Sequence, residues 1–138
     1  MSKLLQKSND SIQACQLLIE QHNLYTSSIH HAYYSSFQRS IYLLQIHFPK
    51  SLIEKTEEAS SHVHVITTVE QKLVDSGYRF QALDFNQHIN TLKRNRVHAD
   101  YKNDLFDEKF SLKSLELARK LNIIIDELTN KLSSITST

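Results

Sequence analysis

The chain contains one glycine, Gly77, and one proline, Pro49, and this scarcity constrains its fold more than any other feature. Hairpin turns, β-bulges and tight connections between strands and helices all consume glycine, because glycine adopts backbone conformations that other residues avoid. A sheet-rich fold is therefore disfavoured, and the abundant leucine, glutamine, lysine and glutamate favour helices. With 138 residues the chain has room for one domain with its own core, so we predict a single all-α domain over residues 1–138.

Apolar residues recur every three or four positions along five segments, which is the period of an amphipathic helix. The predicted helices run from Ser8 or Asp10 to His22, from Thr26–Ser27 to the residue before Pro49, from Ser61 to a stop at Gly77, over 79–101, and from Ser111 to about Ile135. Residues 49–60 are predicted to form a polar loop. Long amphipathic helices with short links pack side by side, so we expect an up-and-down antiparallel bundle of four to five helices.

The charge of the chain indicates no strong electrostatic partner. Sixteen basic residues against fifteen acidic ones leave a net charge of +1, so any contact with nucleic acid must be local. The single cysteine, Cys15, lies in an apolar helical pattern and is interpreted as a small core residue. No signal peptide and no long apolar stretch is recognisable, so we expect a soluble, cytoplasmic protein without membrane contact.

Residues 91–101, at the end of the fourth helix, contain two arginines, a histidine, an aspartate and a tyrosine. At about 100° per residue, Arg96 and Ala99 continue the apolar stripe of that helix, and Asp100 lies beside them. Arg94, His98 and Tyr101 are predicted to lie on the opposite side. The last turns of this helix therefore present two separate polar groups.

Each polar group has a structural and a functional interpretation. Arg96 and Asp100 are four residues apart near the buried edge, where they form either an ion pair that fixes the helix end or part of a ligand site. Arg94 and His98 have the same spacing and are either a solvated face or a site for phosphodiester chemistry. In the second case arginine holds the phosphate and histidine transfers a proton.

Two segments resemble the HEPN superfamily, small helical-bundle domains found in prokaryotic toxin, defence and nucleotidyltransferase-associated proteins. Residues 27–37 read Ser-Ser-Ile-His-His-Ala-Tyr-Tyr-Ser-Ser-Phe and resemble the small-residue and Ala-Tyr-Tyr pattern of the early long helix of that family. Residues 96–101 read Arg-Val-His-Ala-Asp-Tyr and resemble the Arg-x-x-Ala/Gly-Asp-Tyr ending of one branch. Ser61-His62, at the start of the third helix, also fits that branch.

The resemblance implies a homodimer formed through the motif-bearing helices, with a cleft between the subunits. It also implies RNA or a nucleotide as ligand, and a cognate antitoxin or nucleotidyltransferase as a protein partner. Many HEPN proteins are metal-independent ribonucleases with an arginine, four to six residues and then a histidine. Here Arg94-Asn95 begins such a motif, but only three residues separate Arg94 from His98, and Lys93, at the correct spacing, lacks the planar guanidinium.

Other candidate sites are weaker. Tyr33 belongs to the apolar stripe of the second helix and is interpreted as packing, whereas the adjacent Tyr34 is a candidate for lining the cleft. The pairs His30-His31 and His62-x-His64 point in divergent directions on a helix, so no metal site and no cofactor is predicted. A phosphate-binding loop is excluded because it needs several glycines.

Three functions remain open from the sequence. The first is a HEPN-like module that binds nucleic acid, a nucleotide or a protein partner without chemistry of its own, and the short Arg94–His98 spacing favours it. The second is a metal-independent endoribonuclease with a composite site across a homodimer. In it His98 acts as acid or base, Arg94 stabilises the phosphorane, Asn95 orients the substrate and Tyr101 adds a donor. The third is an unrelated structural bundle, monomeric in solution.

Overall fold

The computed structural model describes residues 2–52, 58–102 and 105–136, with the backbone alone at 58–60 and 134–136. Regular structure in these residues is entirely helical, which confirms the predicted all-α bundle. The elements are α1 (Leu4–Glu20), α2 (Tyr25–His47), a short 3₁₀ helix (Pro49–Leu52), α3 (Glu58–Asp75), α4 (Arg79–Tyr101) and α5 (Glu108–Thr136). No helix in the described ranges combines the length and the apolar character needed to span a membrane.

The helix starts differ from the predicted ones more than the ends do. The first residues of α1, α3 and α5 all lie three or more positions before the predicted starts, whereas α4 has the predicted bounds. The sequence predicts Thr26 and Ser27 as caps of α2, but both lie inside its first turn. Leu24 occupies the N-cap and makes no side-chain capping bond. The Thr26 hydroxyl instead accepts a hydrogen bond from the backbone N–H of Phe106, at 2.9 Å. Its partner lies 80 residues away, so local sequence does not reveal this role.

The predicted loop at 49–60 is also partly helical. Pro49–Leu52 forms the 3₁₀ helix, and α3 already begins at Glu58, while residues 53–57 lie outside the described ranges. Proline is compatible with the first turn of a helix because its fixed φ suits that turn and its missing N–H has no acceptor there.

The predicted stop of α3 at Gly77 is confirmed. Gly77 has φ +91°, a left-handed conformation that glycine adopts without a steric penalty. The backbone N–H of Tyr78 then donates to the carbonyl of Leu73 at 2.8 Å and closes the turn. After α1 the same left-handed conformation occurs at Asn23, with φ 55°, since asparagine tolerates it better than most residues.

The core lies around α2, which contacts all four other helices. Its predicted stripe is largely confirmed, because Ile29, Tyr33, Phe37 and Leu44 are buried, whereas Ile41 and Phe48 are half-buried. The remaining core comes from the other helices, with these fully buried representatives: Cys15, Leu73, Phe85, Ile89, Leu92, Leu121 and Ile125. The side chain of Ile135, predicted to belong to the stripe of α5, lies outside the described residues.

The direction of α3 departs from an up-and-down order. Near the middle of α2, the Tyr33 hydroxyl is 2.7 Å from Nδ1 of His62, which lies early in α3. At the end of α2, Phe48 lies 5.4 Å below the ammonium of Lys72, late in α3. Contacts in this order mean that α2 and α3 run in the same direction. The predicted up-and-down order is therefore broken at this pair.

Candidate functional site

The last turns of α4 divide into an inner and an outer group, as the helical wheel predicts. Arg96 points inward, and its side chain is only 13 % exposed. Arg94 and His98 are exposed on the outer side of the same helix. This separation follows from a regular α-helix that extends to Tyr101, so the wheel angles remain valid through the motif.

The guanidinium of Arg96 lies against two tyrosines of α2. Its central carbon is 5.3 Å from the ring centroid of Tyr33 and 5.6 Å from that of Tyr34. Nη1 donates to Oδ2 of Asp100 at 3.4 Å, four residues further along α4. Nε is buried and has no hydrogen-bond partner among the described residues. Two aromatic faces and a carboxylate thus compensate much of the cost of placing this cation near the interior.

Asp100 also joins α4 to α2 through His30. Its Oδ2 lies 3.1 Å from Nδ1 of His30, and the His30 ring lies 4.6 Å from that of Tyr34. The aspartate therefore connects the cation on its own helix with an imidazole on the neighbouring one. These contacts agree with the structural interpretation of Arg96 and Asp100, in which the pair fixes the end of α4.

The fully buried Tyr33 extends this inner cluster to α3. Its hydroxyl is hydrogen-bonded to Nδ1 of His62, whose ring stacks on Phe37 with centroids 4.2 Å apart and planes 8° apart. Burial raises the pKa of Tyr33 well above its ordinary value of 10.0, an effect that the charge of Arg96 partly offsets. The phenol consequently remains protonated near neutral pH. The inner cluster is therefore a packed structural unit in which Tyr34 lies beside Arg96.

The outer group lines a groove of about 400 Å³ on the surface of α4, hereafter the α4 groove. Its described lining consists of Asn90, Lys93, Arg94, Val97, His98 and Lys102. Three of these residues are permanent cations, and none carries a carboxylate. The described part of the groove is thus electropositive on a chain whose overall charge is almost neutral.

Arg94 and His98 share this groove, which confirms that they lie on one face. Nη2 of Arg94 lies 3.3 Å from the Thr91 hydroxyl, one turn earlier. The His98 ring meets Phe106 edge to face at 5.0 Å, so the segment before α5 supports the imidazole. The other two residues of the predicted catalytic set are placed differently. Asn95 and Tyr101 do not belong to the described lining of the α4 groove.

An exposed apolar row follows the same outer side of α4. Phe80 is 79 % exposed, Leu83 53 %, Val97 37 % and Tyr101 74 %. Their spacing keeps them on one side of the helix, separated in the middle by polar residues. Phe80 and Leu83 thus form one exposed apolar pair near the start of α4, and Val97 and Tyr101 form a second pair near its end.

The members of the His62-x-His64 pair contact different groups and do not converge. His62 contacts Tyr33, whereas Nε2 of His64 lies 2.8 Å from the backbone carbonyl of Ser51. Among residues 2–52, 58–102 and 105–136, no three histidine, cysteine, aspartate or glutamate side chains cluster as metal ligands would. Burial lowers the pKa of His31, and the neighbouring His30 adds to that effect.

Sequence reasoning missed the strongest ion pair of the described chain, between Arg39 on α2 and Asp126 on α5. Nε and Nη2 of Arg39 donate to the two carboxylate oxygens at 2.7 and 3.0 Å. Nη1 donates to the Ser8 hydroxyl at 2.9 Å and to Oδ1 of Asn9 at 2.8 Å. The side chain is 11 % exposed, so this network holds α1, α2 and α5 together. The only signal in the sequence is an arginine among serines on a core helix.

Comparison of the chain with models of known protein families, with curated proteins and with solved structures returned no match. The geometry of the site and the resemblance of its motifs therefore carry the functional argument.

Proposed function

We propose that this protein is an RNA-binding module of the HEPN type that holds the phosphates of single-stranded RNA in the α4 groove. The observation that carries the proposal is the composition of the groove, in which Lys93, Arg94 and Lys102 accompany His98 and no described carboxylate competes. The motif resemblance at residues 27–37 and 96–101 supports the same class of protein.

The chemistry of the groove suits a phosphate backbone. Lysine binds phosphate as a point charge, and the guanidinium of Arg94 presents a fork that matches two phosphate oxygens. Arg94 and His98 are exposed, so an anion can reach both side chains from solvent.

Binding without cleavage is the form of the proposal that the site favours. Arg96 is engaged by two tyrosines and Asp100, which leaves Arg94 as the arginine of the groove. Asn95 lies outside the described lining, and the Arg94–His98 spacing is one residue shorter than in catalytic relatives of the resembled family. The groove therefore has the charges for binding but an incomplete set for catalysis.

A second copy of the chain completes the proposed site. An antiparallel pairing of two α4 helices about an axis between Asn90 and Thr91 sets Phe80 of one copy opposite Tyr101 of the other. Such a pairing buries the exposed apolar row on both copies and turns each open groove into a cleft between subunits. The stable protein partner that the resemblance implies, an antitoxin or a nucleotidyltransferase, would then bind this dimer.

The dimer is tested by the molar mass in solution, measured by light scattering after size exclusion. We expect a wild-type dimer, and a monomer when Phe80→Lys and Leu83→Lys place charges on the apolar row. Ile46→Lys is the matched control, because Ile46 is similarly exposed but lies on α2. A wild-type monomer at every concentration would remove the dimer from the proposal.

RNA binding is tested by fluorescence anisotropy with a labelled single-stranded oligonucleotide. Lys93→Gln and Arg94→Gln are each expected to weaken binding about tenfold, as loss of one charge-assisted contact does. Lys7→Gln, an exposed substitution on α1 outside the groove, should leave the affinity unchanged. Equal weakening by all three variants, or no wild-type binding, would refute the groove as the RNA site and favour an unrelated structural bundle.

A metal-independent endoribonuclease is the second candidate, because Arg94 and His98 line one groove. In that reaction the ribose 2′-oxygen bonds to phosphorus while the bond to the 5′-oxygen breaks. His98 carries the proton from the 2′-hydroxyl to the leaving 5′-oxygen, Arg94 stabilises the phosphorane, and a 2′,3′-cyclic phosphate remains. Incubation with cellular RNA in excess chelator tests this activity. Cleavage that both Arg94→Ala and His98→Ala abolish would replace the binding proposal with an enzyme.

A further inference from the structure

A second cavity lies at the far end of α2, separate from the α4 groove. It has a volume of about 610 Å³, within the range of roughly 300–1,000 Å³ that small-molecule sites occupy. The cavity lies between the end of α2, the 3₁₀ helix and α3. Its described lining consists of His47, Phe48, Pro49, Lys50, Ser51, His64, Thr68 and Lys72.

The sequence of α3 builds one wall of this cavity. His64, Thr68 and Lys72 are spaced four residues apart, so their side chains lie above one another on one helix face. This row faces the end of α2 because α2 and α3 run in the same direction. The cavity thus lies between this row and the end of α2 with the 3₁₀ helix.

The charged side chains of the described lining have a single sign. Lys50 and Lys72 supply two ammonium groups, and no carboxylate belongs to the described lining. Neither lysine forms a salt bridge with a described side chain. The ammonium of Lys72 is instead placed over the ring of Phe48, at 5.4 Å from its centroid. Two cations held in one concave site, without an anionic partner among these residues, attract a multiply charged anion.

Both histidines of the cavity are oriented by backbone contacts. Nε2 of His47 lies 2.8 Å from the carbonyl of Thr129, and Nε2 of His64 lies 2.8 Å from the carbonyl of Ser51. Since a carbonyl only accepts, Nε2 carries the hydrogen in each ring. Nδ1 of each ring makes no hydrogen bond to a described residue, so it is open to a donor group of a ligand. The imidazoles are therefore preorganised rather than mobile surface groups.

We infer that this cavity binds the phosphate group of a small phosphate monoester. The two ammonium groups and the Thr68 hydroxyl form a spread set of donors, which suits a tetrahedral dianion. A planar carboxylate would be better matched by an arginine fork, and no arginine belongs to the described lining. Phe48 and Pro49 add an apolar surface for the organic part of the ligand. This site is independent of RNA binding at α4.

The test is calorimetric titration of the full-length protein with ribose 5-phosphate and with adenosine monophosphate. Ribose and adenosine, which lack the phosphate, serve as ligand controls. We expect wild-type dissociation constants below about 1 mM for at least one phosphate ester, and no binding of the uncharged controls. Lys50→Gln and Lys72→Gln should each weaken binding about tenfold through loss of a charge-assisted contact.

Further variants separate ligand binding from folding and from the α4 groove. Lys72→Arg retains the cation over Phe48 and should retain most of the affinity. If Lys72→Gln fails to fold, Lys50→Gln still tests whether a lysine of the cavity contributes to binding. Lys93→Gln lies in the α4 groove and should bind the phosphate ester like the wild type. Weaker binding by Lys93→Gln with unaffected Lys50→Gln would place the anion in the α4 groove and overturn the inference. Absence of wild-type binding up to about 10 mM would also overturn it, since such affinity is not specific.

Discussion

The salt dependence of RNA binding provides a quantitative test of the α4 groove. Three permanent cations, Lys93, Arg94 and Lys102, line it. If each holds one phosphate of a single strand, the logarithm of the binding constant should fall with the logarithm of salt concentration with a slope of about −2, at ~0.7 per contact. The affinity would then fall about 20-fold between roughly 50 and 200 mM salt.

The same measurement distinguishes one groove from two. A dimer that engages one RNA through both grooves doubles the number of cations, so the slope becomes about −4 and the loss over that salt range about 300-fold. Removing one cation per chain by Lys93→Gln should reduce the steepness by about 0.7 per bound chain. The assay is fluorescence anisotropy at four or more salt concentrations, at constant pH.

The control for this series is Lys7→Gln, since Lys7 is exposed on α1 and does not line the groove. Its slope should equal that of the wild type. If Lys93→Gln and Arg94→Gln leave the slope unchanged, or if Lys7→Gln reduces it equally, phosphates do not bind at these cations and the argument from the groove is wrong.

Three further predictions concern stability and reactivity. Asp126→Asn should lower the free energy of unfolding by about 2 kcal/mol in urea titrations, because it leaves the guanidinium of Arg39 without its carboxylate. The partial exposure of Asp126 moderates this loss. An unchanged urea midpoint would mean that the ion pair does not stabilise the fold. Burial raises the pKa of the Cys15 thiol to about 11, so a thiol reagent at pH 8 should react with it only after denaturation, and rapid labelling of the native protein would contradict its burial. Burial lowers the pKa of His31 and of His88 below 6.5, so the unfolded chain binds protons more readily than the folded one. Stability is then complete above pH 6.5 and declines on acidification below it, and the double variant His31→Gln, His88→Gln should decline less in thermal melts across that range.

Local sequence was sufficient for the features that depend on period and on single residues. The scarcity of glycine predicted a helical fold, and the left-handed Gly77 ended α3 at the predicted position. The apolar stripe of α4 correctly divided Arg96 from Arg94 and His98, because a regular helix keeps its angular period to Tyr101. The starts of α1 and α2 were predicted less well, since both helices begin without a side-chain cap.

Tertiary structure decided which helices meet, and therefore which side chains meet. The hydroxyl of Tyr33 is hydrogen-bonded to His62, 29 residues away, and Arg39 is paired with Asp126, 87 residues away. No local sequence pattern encodes contacts over such separations. The shared direction of α2 and α3 likewise depends on packing rather than on the period of either helix. It places the end of α2 beside the row that begins at His64, and so forms the cationic cavity. A helical period specifies which face of a helix is buried, but only the packing of whole helices specifies the partner of that face.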